Sequence, residues 1–294
     1  MKIRGLKKIN IIQSQRPVNR IVRYAGIIFL FVFLTILTQI GGVIYFTSLL
    51  THKLINKKVS HRILRSCIKF VLFVFLYLAV TFLLVPIIAR PFGRVPLPIA
   101  ETRHVRPLNF ITCFLNRHYV RPALRQAAME VAEDMNDRFP GAVVSYLDAG
   151  FPFINKFPLV PHLSHNDGKK LDLAFYYIDK RTGQPSNTTP SCIGYGIGEE
   201  PRPEEINTAA LCASQGHWQY SFLRNLIPQR NKRNFIFDSV RTKALVNFFA
   251  SKEVIGKIFI EPHLKTRLKL QSDKIRFHGC QAVRHDDHLH VQLQ

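Results

Sequence analysis

Two uninterrupted apolar runs, from about Ala25 to Leu50 and from about Cys67 to Ala89, constrain this chain more than any other feature of it. About 20 apolar residues in helical form cross a bilayer. Neither run contains an acidic residue, and Lys69 lies near an end, where its charged head can reach the interface. A core helix of a soluble domain is apolar along one stripe, whereas these runs are apolar on every side. A cleaved signal peptide would be shorter than the first run and would end in small residues. Both runs are therefore expected to be transmembrane helices in a membrane anchor of residues 1–94, with the lipid bilayer as a partner.

Charge follows the same division. Residues 1–94 hold 15 Lys and Arg and no Asp or Glu, whereas residues 95–294 hold 26 basic and all 19 acidic residues, so the net +22 splits into +15 and +7. Cations that flank apolar runs fit anionic lipid headgroups. No nucleic-acid-binding motif accompanies them, so no nucleic-acid partner is expected. Seven Lys and Arg precede or open the first run and five lie between the runs. By the positive-inside tendency this favours a cytoplasmic N-terminus, and two crossings would return the remainder to the cytoplasm. Cysteines point the other way: Cys113, Cys192, Cys212 and Cys280 could form two disulfides in an oxidising compartment, or be ordinary buried thiols.

Beyond the anchor, residues 95–119 are rich in Pro and Arg and read as an extended linker. Residues 120–294 are long enough for one globular domain. Apolar Leu124, Ala128, Val131 and Met135 at helical spacing predict a helix over 120–139, stopped by Pro140-Gly141. Strands are expected at 143–147, 171–178, 257–261 and 288–293, and helices at 218–226, 240–252 and 262–270. Residues 180–216 form an irregular excursion. Its GxGxG spacing at Gly194, Gly196 and Gly198 joins no strand to a helix, so it is not a dinucleotide fingerprint. The order suggests an α+β fold, a small antiparallel sheet with flanking helices, preceded by two transmembrane helices.

Histidines gather at two places. One is His162-Leu163-Ser164-His165-Asn166-Asp167-Gly168, followed by Asp172; the other is His285-Asp286-Asp287-His288-Leu289-His290. A lone His is usually a surface or hydrogen-bonded residue. Here, side-chain alternation along a strand turns His288 and His290 the same way. His165 and Asp172, seven apart around Gly168, suit a loop and a strand converging on one point. Two imidazoles, a carboxylate and one open position make a catalytic Zn²⁺ site.

These motifs resemble those of the zinc metallopeptidases grouped as lysostaphin, D-Ala-D-Ala peptidases and sonic hedgehog, which share H-x(6)-D and H-x-H. Within that group they look most like the penicillin-insensitive murein endopeptidases, with their SHQxG…D and HDDHFH motifs. The likeness covers roughly residues 140–294. It implies His165, Asp172 and His290 as zinc ligands and His288 as general base or oxyanion partner, with His162 and His285 around the same cleft. Asp286 and Asp287 would orient these histidines, or form a solvated acidic turn. Asn166-Asp167 departs from the family pattern, and Lys169-Lys170 adds two cations beside the metal loop.

The resemblance implies a hydrolase of the bacterial inner membrane that uses zinc to cut an amide bond in the peptide cross-links of cell-wall peptidoglycan, with its catalytic domain in the periplasm. The alternatives are a cytoplasm-facing D-Ala-D-Ala-type peptidase and a non-catalytic zinc-binding domain of the same fold.

Overall fold

The structure, a computed structural model, describes residues 15–159 and 162–294. The chain divides into two compact units, residues up to 78 and Ala79–Gln294.

The first unit is helical. Helix α1 (Gln15–Thr38) ends where Gln39 takes a left-handed backbone (φ 69°), and α2 (Gly41–Lys58) turns back along it. The first apolar run is thus two helices, not the single helix expected over 25–50. The break lies at Gln39-Ile40-Gly41-Gly42, where glycine permits close approach. A Cβ on Gly42 would stand 2.0 Å from Thr35 Oγ1 and 2.4 Å from the Phe31 carbonyl oxygen. After residues 59–61 the chain reverses again into α3 (Arg62–Ala79). Phe31 meets Phe46 with ring centroids 6.4 Å apart, Tyr45 meets Phe73 at 6.1 Å, and Lys69 Nζ donates to Asn56 Oδ1 at 2.8 Å. Those pairings make α1, α2 and α3 successively antiparallel. Two helical stretches, Arg20–Thr38 and Arg62–Ile88, are long and apolar enough to cross a membrane. The second continues through a π-helical turn at Val80–Leu84 into α4 (Val85–Ile88). Pro86, which has no N–H to give the preceding turn, accounts for that widening.

The second unit is α+β. Strands β1 (Val95–Pro96) and β2 (Val105–Pro107) and the short α5 (Ile111–Phe114) precede β3 (Tyr119–Val120) and α6 (Pro122–Arg138). Residues 95–119 are accordingly part of the folded unit rather than an extended linker: Leu97, Val105 and Cys113 lie in its core. Strand β2 carries Pro107 at a sheet edge, where a missing N–H is tolerated.

Strands β4 (Val144–Tyr146), β5 (Lys170–Ala174), β6 (Tyr177–Asp179) and β7 (Pro185–Ser186) follow. Next come α7 (Thr208–Ser214), α8 (Phe222–Leu226), β8 (Phe235–Phe237), α9 (Ser239–Ser251), β9 (Ile255–Phe259), α10 (Pro262–Arg267), β10 (Ile275–Arg276) and β11 (His288–Leu293). The main sheet has six strands in the order β10-β9-β11-β5-β4-β2. Its centre is antiparallel as expected, but both edges pair in parallel, β10 with β9 and β2 with β4. Strand β6 is separate from β5 and belongs to a three-stranded sheet with β7 and β8.

The antiparallel centre decides where chemistry can occur. Leu171 and Leu173 of β5 and Leu289, Val291 and Leu293 of β11 join Leu124, Val131 and Met135 of α6 and Leu245 and Phe249 of α9 in one core. Because side chains alternate, the remaining positions of those strands, among them Asp172, His288 and His290, project from the opposite face. In the register between the strands, His290 faces Asp172 and His288 faces Ala174.

Of the four cysteines that could form two disulfides or stay as thiols, Cys212 and Cys280 form one disulfide. Cys113 is buried, with its Sγ 3.3 Å from Tyr146 Oη, and Cys192 is exposed. The bridge ties the end of α7 to the loop before β11, 68 residues on. A cross-link of that span stabilises a fold by about 4 kcal/mol through lost unfolded-chain entropy. We expect Cys212→Ser/Cys280→Ser to lower the denaturation midpoint accordingly. Equal midpoints for parent and variant in chemical unfolding would refute a structural role.

Candidate metal centre

Three donor atoms face one another on the sheet's open side. His165 Nε2 lies 3.2 Å from His290 Nδ1 and 3.3 Å from Asp172 Oδ1, and His290 Nδ1 is 2.8 Å from the same carboxylate oxygen. All three residues are buried, and the cluster can hold a metal ion. His165 Nδ1 is 2.8 Å from the Ala149 carbonyl oxygen. Since that oxygen only accepts, Nδ1 carries the hydrogen and Nε2 is left with the lone pair a ligand needs.

Electrostatics of the cluster follow from crowding charge into a dry place. Burial would raise the Asp172 carboxyl, but His165 and His288 beside it hold it well below the usual range. Burial works against the cationic form of His165, yet Asp172 and Asp148 raise it above the ordinary histidine value. Burial pushes His290 down to about 4, leaving it a neutral imidazole. A divalent cation suits this set, because it meets the buried carboxylate's charge and takes the imidazole lone pairs.

Two Asp–His pairs flank the triangle. His288 Nδ1 bonds Asp287 Oδ1, and its Nε2 lies 3.8 Å from Asp172 Oδ1. Burial would lower His288, but Asp172 and Asp287 raise it to about 9. On the other flank His162 Nδ1 meets Asp148 Oδ2 at 2.9 Å, and Arg117 clamps the same carboxylate. His162 Nε2 is buried with no protein partner among the described residues, as is His290 Nε2. Both pairs fix the tautomer that leaves Nε2 available for proton transfer. His285 lies tilted against His288 with centroids 4.8 Å apart, and burial together with the neighbouring imidazoles drives it well below the ordinary value.

The structure therefore brings together all six residues singled out in the sequence: His162, His165, Asp172, His285, His288 and His290. They line a cleft of about 520 Å³. Asp286 and Asp287 are buried rather than a solvated turn. Asp287 orients His288, whereas Asp286 pairs with Arg284.

Four participants escape sequence reasoning. Asp148 and Arg117 had no motif, although a carboxylate two residues past strand β4 is a usable signal. His278 stacks on Phe259 at 4.1 Å and lines the cleft, but it stands alone in sequence. Tyr195 lies in the glycine-rich segment set aside as no dinucleotide site. Its hydroxyl donates to Asp172 Oδ2 at 2.8 Å, and its ring packs between His162 and His288 at 4.8 and 4.9 Å.

The glycines of that segment let its backbone approach the site. Gly196 N–H donates to Asp287 Oδ2, and a Cβ on Gly198 would stand 2.4 Å from Asp286 Oδ1. Since Tyr195 orients a donor without being one, Tyr195→Phe should weaken metal affinity about 10–100-fold. Competition against a chelating dye measures this, and unchanged affinity would show that the phenol only fills space.

Neither a protein-family model nor a curated protein sequence matches the chain.

Proposed function

We propose that this chain is a membrane-anchored zinc peptidase that hydrolyses an amide bond in peptidoglycan peptide cross-links. The observation that carries the reading is the His165–Asp172–His290 triangle set between two Asp–His pairs in one cleft. A site that merely holds an ion needs no buried imidazole, oriented by a carboxylate, on either side of it. Zinc is favoured because the triangle's edges of 2.8, 3.2 and 3.3 Å resemble the ligand spacing, about 3.3 Å, of tetrahedral bonds near 2.0–2.1 Å. When bound, the ion supplies Lewis acidity toward a carbonyl and lowers the pKa of water.

The protein's own groups do the rest. His288, oriented by Asp287 and held protonated by Asp172 and Asp287, delivers its Nε2 proton to the departing amine and recovers one from the attacking water. His162, which gives its Nδ1 hydrogen to Asp148, offers Nε2 as a second proton acceptor in the same cleft. The test is mass analysis of peptidoglycan fragments after incubation with the full chain in detergent. Release of cross-link peptides that stops with a chelator and returns with zinc is expected; intact cross-links would end the proposal.

The catalytic unit is proposed to face the periplasm. With α1, α2 and α3 running antiparallel, the cations of the described residues fall at one end of the helices: Arg20 and Arg23 of α1, and Lys53, Lys57, Lys58, Arg62 and Arg65. Placing that end in the cytoplasm satisfies the positive-inside tendency for every one of them. Crossing outward at Arg62–Ile88 then puts the second unit outside, where its disulfide can persist. In a Cys67→Ser background, exposed Cys192 should react with a membrane-impermeant maleimide in outer-membrane-permeabilised cells. Labelling only after lysis would place the unit in the cytoplasm.

A further inference from the structure

The two banks of the cleft differ in kind. One carries the imidazoles and Asp172; the other presents Trp218, Gln219, Phe222, Gln281 and Val283, with no charged side chain among them. In a unit of net positive charge, an uncharged bank is unsuited to a carboxylate or an ammonium group. Trp218, the only tryptophan of the chain, is 73% exposed, and it meets Phe222 edge-on at 5.8 Å. An enclosed hole for an aliphatic side chain would bury such an indole. Two carboxamides line the same cleft, Gln219 next in sequence and Gln281 on the loop that the disulfide anchors. Gln219 Nε2 reaches the Cys280 carbonyl oxygen at 3.4 Å, and Cys280 is bonded to Cys212, so the bank is built before a ligand arrives.

An open aromatic face beside planar amides matches a neutral pyranose ring. The ring's C–H face packs against the electron-rich indole, and its hydroxyl and acetamido groups exchange hydrogen bonds with the carboxamides. We infer that this bank is a saccharide subsite for an N-acetylated pyranose of the glycan to which the scissile peptide is attached. The inference rests on the peptidoglycan reading above and narrows it to substrates that still carry sugar.

The single tryptophan is its own probe. Full chain in a sugar-free amine-oxide detergent is titrated with the trimer of N-acetylglucosamine while indole emission is followed. A saturable change with a Kd in the millimolar range or tighter is expected, and it should persist after metal chelation, because no metal ligand takes part. Gln219→Ala/Gln281→Ala should weaken binding at least tenfold by the same signal. Trp218→Ala, whose exposed side chain leaves the core intact, should abolish saturation transfer to the sugar in NMR. An emission spectrum unmoved by sugar, or undiminished affinity in either variant, overturns the subsite. Sugar binding without peptide hydrolysis would retire the peptidase reading and leave the subsite standing; hydrolysis without sugar binding would do the reverse.

Discussion

His290→Ala should lose the metal and the activity together. The parent chain is expected to carry about one zinc, as a three-ligand site with one open position does. With two of three donors left, one of them a carboxylate already shared with Tyr195, zinc should fall to background after dialysis. Cross-link hydrolysis should drop at least about a thousandfold, since several kcal/mol of Lewis-acid stabilisation disappears and each 1.4 kcal/mol is a factor of ten. The fold should survive, because the core side of β11 is made by Leu289, Val291 and Leu293. Elemental analysis beside circular dichroism reads both results. A variant that keeps its zinc would refute the ligand set.

His288→Ala should separate chemistry from metal binding. The side chain lies beside the triangle without completing it, 3.8 Å from Asp172 Oδ1. Zinc content is therefore expected to stay near one per chain while kcat falls about 10²–10⁴-fold, the usual contribution of a positioned acid–base group. Asp287→Asn should give a smaller loss of the same kind, as it removes the partner that fixes the His288 tautomer. Full hydrolysis by His288→Ala would move the proton-transfer role elsewhere, with His162 the next candidate because of its unpartnered Nε2.

Much of the site was legible because strands have period two. His288 and His290 had to share a face, and Leu289 and Val291 had to share the other, whatever the rest of the chain did. What remained hidden depends on long-range approach. Nothing local to Tyr195 says that its hydroxyl meets Asp172, and nothing local to Arg117 says that it clamps Asp148. Those bonds exist because the sheet brings β4 beside β5 and because glycines let the 194–198 backbone close on Asp286 and Asp287.

In the first unit, hydropathy located apolar backbone but could not see the turn at Gln39. A left-handed residue between apolar helices has almost no compositional mark, and the Gly41-Gly42 pair was its one local sign. Pro-rich residues 95–119 were read as extended, which they partly are; their place at a sheet edge is a tertiary fact.

The register between β5 and β11 has a consequence at the level of inheritance. Asp172 stands opposite His290, and the imidazoles share its face only while that pairing holds. A single-codon insertion or deletion within 170–174 or 288–293 would turn ligands into the core and leucines into the cleft. Lineages descending from this chain can therefore vary the length of its surface loops freely, whereas these two short stretches can change only by substitution.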